Sequence, residues 1–257
     1  MMSELNNAAL QPILSEKFLG IIWKIETDHA ESFIAIETRD IENRTTAFSA
    51  YNYQTGECLF KEITVEESWF WSLDRVSNGM FFLHSYVHES NPQHKGIIAI
   101  NSSGKIAWQQ FNKALHEVTA EGIVVYNPNI QPKTFELLKV TDGSTLLPKV
   151  ESINPITRNI ITPSWLVDDS LIKHLLPANT YGPISHCSFN EHEILAYHTQ
   201  NGTLFDQMLR IYKDNMLRLE VKLASDIQKL NPEAFFIEGG QLFCIRNVKQ
   251  ELVSYLV

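Results

Sequence analysis

Short runs of apolar and β-branched residues, each ending at turn residues, recur along the chain. The clearest case is Lys95–Phe111, where two apolar segments, Gly96–Asn101 and Lys105–Phe111, flank a Ser-Ser-Gly turn that ends at Gly104. Glycine accepts the positive φ of a tight hairpin, and β-branched and aromatic residues suit half-buried strand positions. The pattern therefore predicts a β-hairpin.

Three further stretches repeat this pattern, each with a residue tolerant of positive φ at its turn. They are Tyr51–Phe60 with Gly56, Leu137–Leu147 with Gly143, and Leu209–Leu219 with Asn215. The first two intervals between turns are roughly 40 to 50 residues long, which is the period of a propeller blade with several strands. The third interval is longer by about thirty residues, which indicates an insertion in one blade.

This repeat predicts an all-β fold, a β-propeller of five blades with one short helical insertion. We expect an N-terminal arm at residues 1–17 and one propeller domain at 18–257, with the insertion at 151–182. Within the insertion, Ser164–Leu176 has helical periodicity, with Ser164 as N-cap and Pro177 as the stop. A ring must close, so we expect Phe18–Ile25 to be either the first strand of blade one or the last strand of blade five. A pair of β-sandwiches is the alternative fold.

Composition and charge exclude several classes of protein. The chain has 257 residues, of which 44% are hydrophobic and 20% charged, as in ordinary globular domains. The net charge of −9 argues against a nucleic acid or an anionic membrane as the main partner. The acidic residues are spread along the chain, so their simplest effect is solubility.

The cysteines and the N-terminal sequence indicate a compartment. Cys58, Cys187 and Cys244 form no CxxC pair and lie in predicted strands, which favours free thiols in a reducing environment. The N-terminal residues have neither a basic start nor a long apolar core, so we expect no signal peptide. No apolar run approaches the roughly 20 residues of a membrane helix. The sequence therefore predicts a cytoplasmic protein.

Two of the repeats resemble a known family. Ile98–Trp108 (IAINSSGKIAW) and Ala50–Phe60 (AYNYQTGECLF) are similar to the A-x-D-x-x-T-G-K-x-x-W repeat of PQQ-type, quinoprotein-like β-propellers. In the first repeat Gly104, Lys105 and Trp108 match, whereas Asn101 replaces the usual aspartate and Ser103 the usual threonine. In the second repeat Thr55 and Gly56 match, whereas Glu57 replaces lysine and Phe60 replaces tryptophan.

The resemblance implies an architecture and no activity. In PQQ-type propellers the repeat tryptophan docks between neighbouring blades, so it implies that role for Trp108. Quinoprotein dehydrogenases are larger, exported, and bind their cofactor and calcium through residues that have no counterparts here. We therefore expect no cofactor. The chain is also similar to short, uncharacterised propeller-like proteins of bacterial genomes, which imply no function.

Equivalent positions in the second strand of each blade carry polar residues after an apolar run. They are Glu37, His84, Asn127, His198 and Arg246. Equivalent strand positions in a propeller share radius and height, so the five side chains are candidates for a ring that binds a small polar or anionic ligand. The simpler interpretation, which we favour, is that each strand reaches solvent at this position.

Three more residues are candidates for a pocket. His116 and His186 begin inner strands near the expected channel, and Trp71 is similarly placed, although aromatic residues there usually pack between blades. His84 and His88 lie four residues apart on one strand, which separates their Cα atoms by about 13 Å, too far to share a metal ion. We therefore predict no metal site.

The function predicted from these observations is a non-enzymatic binding module. The chain lacks GxSxG, HExxH, a glycine-rich phosphate loop and paired carboxylates. We expect one propeller face to hold a protein partner or a small polar ligand. The alternative is a hydrolase or lyase that uses His116, His186, His84 or His198 as acid or base in the channel, which requires two of them to meet a carboxylate.

Overall fold

A computed structural model describes residues 9–88, 91–146, 156, 158–166, 172–231 and 233–257. Within these residues the strands are β1 (Pro12–Lys17), β2 (Ile21–Asp28), β3 (Phe33–Asp40), β4 (Thr45–Asn52), β5 (Cys58–Ile63), β6 (Trp71–Ser77), β7 (Met80–His88), β8 (Asn91–Ile100), β9 (Ile106–Gln110), β10 (Ala114–Val118), β11 (Ile123–Tyr126), β12 (Phe135–Leu138), β13 (Thr145–Leu146), β14 (Ser164–Leu166), β15 (Thr180–Phe189), β16 (His192–Asn201), β17 (Leu204–Lys213), β18 (Met216–Ile227), β19 (Phe235–Glu238), β20 (Gln241–Arg246) and β21 (Glu251–Leu256). Single 3-10 turns lie at Ser68–Phe70 and Lys173–Leu175.

The strands form antiparallel sheets in two compact units. The unit Phe18–Arg158 contains the sheets β2-β3-β4-β5, β6-β7-β8-β9 and β10-β11-β12-β13. The unit made of Met1–Lys17 and Asn159–Val257 contains the sheets β14-β15-β16-β17-β18 and β1-β21-β20-β19. The all-β prediction is confirmed. Apart from β1, strands that follow one another in the chain are neighbours in the sheet, which is the topology of a propeller blade.

The four repeated hairpins predicted from the sequence are confirmed. Gly56, Gly104, Gly143 and Asn215 all have positive φ, and each lies in the turn between the last two strands of its sheet. The Asn78-Gly79 turn between β6 and β7 is also present, with φ of 49° and 70° at its two residues. Two successive positive φ values are the requirement of a type I′ turn, and the Asn-Gly dipeptide meets it.

In the unit Phe18–Arg158, an aromatic residue in the last strand of one sheet docks on the glycine turn of the next sheet. The Trp108 ring lies against Gly143, and its Nε1 donates a hydrogen bond of 2.9 Å to the Val140 carbonyl. Phe60 lies against Gly104 in the same way. A Cβ atom would lie 2.7 Å from Trp108 at the first turn and 2.9 Å from Phe60 at the second, so only glycine leaves room. The docking of Trp108 implied by the resemblance is therefore present.

The core of this unit lies between successive sheets. Phe81 and Leu83 of β7 face residues of the first sheet, including Ala50 and Phe60, whereas Phe82 of the same strand faces the third sheet. Successive residues of a strand point to opposite faces, so a nearly continuous apolar run buries both faces of the middle sheet.

The N-terminal segment has a role that the sequence did not indicate. Within the predicted arm 1–17, residues 1–8 lie outside the described part, but Pro12–Lys17 form β1, which pairs antiparallel with β21. The segment Phe18–Ile25 was expected either to begin blade one or to complete blade five. In agreement with the first of these alternatives, Ile21–Asp28 is β2, the first strand of the first sheet, whereas β1 completes the last sheet.

The helix predicted at Ser164–Leu176 is wrong where the structure describes it. Ser164–Leu166 form β14, which pairs with β15, and Lys173–Leu175 form a single 3-10 turn. Residues 151–155, 157 and 167–171 of the predicted insertion lie outside the described residues. Hydrogen bonds to the edge of β15 satisfy the backbone of Ser164–Leu166, so tertiary pairing overrides the local helical periodicity there.

Candidate functional site

Three adjacent strands of the second sheet bring Asp74, His84 and His94 together. Nδ1 of His84 lies 3.1 Å from Oδ2 of Asp74, and Nδ1 of His94 lies 3.8 Å from the same oxygen. The two imidazole rings stack with their centroids 3.6 Å apart and their planes 9° from parallel. One potential ligand atom from each residue lies within 4.8 Å of the others.

Two irregularities of the sheet place these side chains. The register of β6 against β7 shifts between Leu73 and Arg75, which leaves Asp74 as the extra residue of a bulge. The register of β7 against β8 shifts at Gly96, so that His94 lies opposite Tyr86. Bulges change the direction of side chains and are common next to functional sites.

The cluster is largely withdrawn from water. Asp74 is 4% exposed and His84 is 3% exposed, whereas His94 is partly accessible. Nε2 of His84 is buried and has no hydrogen-bond partner among the described residues. Burial alone would raise the pKa of Asp74, but the close contact with His84 and its charge, with the charges of Arg75 and His94, lower it below its usual value.

Positive charge surrounds this cluster and is partly neutralised by Glu26. Burial, followed by the charges of His84, Lys24 and Arg75, lowers the pKa of His94, although Asp74 acts in the opposite direction. Glu26 lies 3.1 Å from the Lys24 ammonium and 3.8 Å from the Arg75 guanidinium. Glu26 also forms a 2.5 Å ion pair with Arg158. The Lys24 ammonium donates to the carbonyls of Leu73 and Asp74, which fixes the backbone of the bulge.

Glu37 fixes the strand beside His84. Its carboxylate is fully buried, pairs with Nε of Arg39 at 2.7 Å, and accepts hydrogen bonds from Ser72 Oγ at 2.7 Å and from the Leu73 amide at 2.8 Å. Ser72 is the cross-strand partner of His84. The predicted candidates Glu37 and His84 therefore both contact β6, and both are buried instead of reaching solvent.

The other candidates in this unit make local contacts. Asn127 accepts a hydrogen bond of 3.0 Å from the Asn129 amide within a turn. His116 is exposed, and its ring centroid lies 4.7 Å from that of Phe135. Trp71 is buried in the core between the first two sheets, as expected for an aromatic residue that packs between blades.

In the second unit, His198 is buried and its Nε2 accepts a hydrogen bond of 3.1 Å from the Asn231 amide. Burial lowers the pKa of His198. Nε of Arg246 lies 3.5 Å from the carboxylate of Glu251. The proposed ring would include residues of both units, and it stays a prediction.

His186 has a carboxylate partner, but the arrangement does not match a nucleophile–base pair. Nε2 of His186 lies 2.6 Å from Glu193, and Ser188 Oγ donates to the same carboxylate at 2.8 Å. A catalytic histidine would have to lie between the hydroxyl and the carboxylate, using one nitrogen for each. Here the hydroxyl and the imidazole share one carboxylate, and the same Nε2 that contacts Glu193 lies 3.5 Å from Ser188 Oγ, so the imidazole does not stand between the hydroxyl and the carboxylate.

An aromatic groove lies on the second sheet of the unit Phe18–Arg158. Its cavity has a volume of about 740 Å³ and includes the apolar side chains of Phe70, Trp71, Tyr86, Ile98, Ile106 and Phe111. Glu66, Glu67 and Lys95 supply charge at the groove. The ring centroid of Tyr86 also lies 5.0 Å from that of His84 and 5.5 Å from that of His94.

Sequence reasoning missed Asp74 and His94. The only available signal was Gly96 inside a strand-like run, because an interior glycine often marks a bulge. The prediction for His84 and His88 rested on their spacing along one strand, whereas the observed neighbours of His84 come from β6 and β8.

Comparisons with known proteins give a partial family match. Residues 27–108 match a family described as Domain of unknown function (DUF4905), a range that includes Asp74, His84 and His94. No curated protein matches the chain. Among the described residues, no helix has the length and apolar character needed to cross a membrane.

Solved structures give weak likenesses. The β-propeller domain of the Trilobed protease from Pyrococcus furiosus is 10% identical, with a TM-score of 0.31 over 91% of this chain and 65% of that one. Acylaminoacyl peptidase from Pyrococcus horikoshii is also 10% identical, with a TM-score of 0.31 over 88% of this chain and 36% of that one. The chain thus spans less than two thirds of either structure. Such TM-scores are too low to assign a fold or an activity.

Proposed function

We propose that the chain is a binding module that holds an apolar segment of a partner protein in the aromatic groove. The observation that carries the proposal is the exposure of large apolar side chains around one cavity. Ile106 is 50% exposed and Phe111 is 54% exposed, and both line the groove with Phe70. Exposed apolar patches with polar residues at their edges are typical of protein–protein sites.

The charges at the groove define the chemistry of the partner. Glu66 and Glu67 are exposed beside Phe70, whereas Lys95 is exposed on the neighbouring strand β8. An aromatic or aliphatic side chain of the partner would fill the space against Trp71 and Phe111. A basic residue next to it would pair with the two glutamates, and an acidic residue would be less well accommodated there.

The proposal can be tested with phage-displayed random peptides selected against the full chain. We expect the selected peptides to combine an aromatic or aliphatic residue with a basic one. Phe111→Asp should weaken their binding at least about tenfold, because it places a charge in the apolar groove. Ile41→Asp is the matched control, since Ile41 is 61% exposed and is not part of the groove. Equal affinities for the two variants would overturn the proposal.

We also propose that the five sheets are the blades of one closed propeller. The support is that each sheet is an antiparallel meander, that β1 completes the last sheet, and that Phe60 and Trp108 dock as in PQQ-type repeats. Small-angle X-ray scattering tests this proposal. A single compact body of this length should have a radius of gyration of about 18 Å. A clearly larger value, from two units that move separately, would refute it.

A further inference from the structure

The Asp74, His84 and His94 side chains have the donor atoms of a transition-metal site. Imidazole nitrogen suits Zn²⁺, Cu²⁺, Fe²⁺ and Ni²⁺, and two histidines with one carboxylate form a common three-ligand set with open positions. Each of the three residues lies on a separate strand, so the sheet holds the donors without help from a loop. Sites on rigid elements keep their geometry better than sites on loops.

The distances between donors fit one small cation. Zinc bonds to nitrogen and oxygen of 2.0–2.2 Å at tetrahedral angles separate neighbouring donors by about 3.4 Å. The observed separations from Asp74 Oδ2 are 3.1 Å to His84 Nδ1 and 3.8 Å to His94 Nδ1, one on each side of that value. Because the two imidazole rings stack in nearly parallel planes 3.6 Å apart, at least one ring must also rotate before both nitrogens can point at the same ion.

A bound ion would stabilise the buried polar atoms of the cluster. His84 and Asp74 are each more than nine-tenths buried, and two of the atoms that would coordinate the ion, Nδ1 of His84 and Oδ2 of Asp74, have no hydrogen-bond partner among the described residues. Buried polar groups are costly unless they are paired or coordinate a metal. His94 is partly exposed, which leaves a path by which an ion and a fourth ligand can enter.

Neighbouring residues orient the carboxylate. Arg75 lies 3.4 Å from Oδ1 of Asp74, on the oxygen that does not face the histidines. Lys24 is held by the carbonyls of Leu73 and Asp74, and Glu26 offsets the charge of both cations. Such outer contacts fix the ligands of known metal sites. The positive charge that they contribute should weaken the affinity for an ion without removing it.

We propose that Asp74, His84 and His94 bind one divalent transition-metal ion, of the class of Zn²⁺, with a fourth position open on the side of His94. None of the three proposed ligands lines the aromatic groove, so the metal site and the groove can be tested by separate variants. Hard cations such as Mg²⁺ and Ca²⁺, which require oxygen ligands, should not bind there.

Isothermal titration calorimetry of the chelator-treated full chain with ZnCl₂ tests the site. We expect one Zn²⁺ per chain, a loss of affinity of at least about tenfold in His94→Ala and in Asp74→Asn, and no change in His29→Ala. His29 is the matched control, because it is an exposed histidine of the same unit outside the cluster. Titration with MgCl₂ should give no heat of binding beyond the heat of dilution.

Co²⁺ binding gives a second readout that does not depend on calorimetry. Coordination by imidazole and carboxylate should produce visible absorption bands in the wild-type chain that His94→Ala loses. Circular dichroism shows whether each variant folds. If His94→Ala or Asp74→Asn fails to fold, the affinity of the other variant tests the proposal. Absence of stoichiometric Zn²⁺ binding, or equal affinity in wild type, His94→Ala and Asp74→Asn, would overturn the proposal.

Discussion

Gly143→Ala would place a methyl group where the Trp108 ring now lies. The new Cβ would be 2.7 Å from Cδ2 and 2.8 Å from Cε3 of Trp108, closer than real Cβ atoms approach other atoms. The ring must then move away from the turn. That movement would also stretch the hydrogen bond from Trp108 Nε1 to the Val140 carbonyl.

Two effects contribute to the expected loss of stability, and a matched variant separates them. Alanine at positive φ costs about 1–2 kcal/mol at any such turn. Gly79→Ala has this cost alone, because Gly79 has a φ of 70°, close to the 68° of Gly143, and its Cβ would meet Phe33 at an ordinary 3.6 Å. The overlap with Trp108 adds about 1–3 kcal/mol, as in other overpacked sites. We therefore expect Gly143→Ala to be the less stable variant by about 2 kcal/mol.

Equilibrium urea unfolding, followed by circular dichroism, measures the difference as a shift of the midpoint at constant slope. In a Trp108→Ala background the additional cost of Gly143→Ala should disappear, because the methyl group then has space. The reasoning is refuted if the two glycine variants agree within about 0.5 kcal/mol, or if the additional cost persists without Trp108.

Three further predictions concern other parts of the chain. Removing residues 1–17 should expose the edge of β21 and cause aggregation, measured by light scattering, whereas a soluble, equally stable variant would contradict the role of β1. Burial lowers the pKa of His198. As the pH falls below about 6.5, the imidazole of His198 therefore becomes protonated in the unfolded chain before it does in the folded chain, and the stability should fall between pH 7 and pH 5. His198→Gln should reduce that pH dependence, and an unchanged slope would exclude His198 as its source. Burial also raises the pKa of Cys244 to about 12, so 5,5′-dithiobis(2-nitrobenzoate) should label exposed Cys58 at pH 8 but reach Cys244 only in urea. Equal labelling rates for the two thiols in the folded chain would be inconsistent with the structure.

The sequence predicted the hairpins because their determinants are local. The Asn78-Gly79 turn and the glycine turn at Gly104 depend on φ values that few residues accept, and the flanking residues alternate as strands require. The same local reasoning failed at Ser164–Leu166, where a helical pattern lies in a strand. There the edge of β15 supplies hydrogen bonds that no local pattern reveals.

The candidate site depended on contacts between strands, which the sequence specifies weakly. His84 was identified from its position in a repeat, and the structure adds Asp74 and His94 from the neighbouring strands. A shift of register by one residue turns a side chain to the other face of a sheet, so the two bulges decide which residues meet. Their positions could not be read from the residues alone.

The pairing of β1 with β21 constrains how the chain can fold during synthesis. Pro12–Lys17 are synthesised long before their partner strand, Glu251–Leu256. The last sheet therefore cannot be completed until Glu251–Leu256 have been made, and β1 must stay unpaired until then. Contacts at such long sequence separation form slowly, because the loop between them must close first. We expect this step to limit the rate of folding and a nascent chain that stalls before β21 to depend on chaperones.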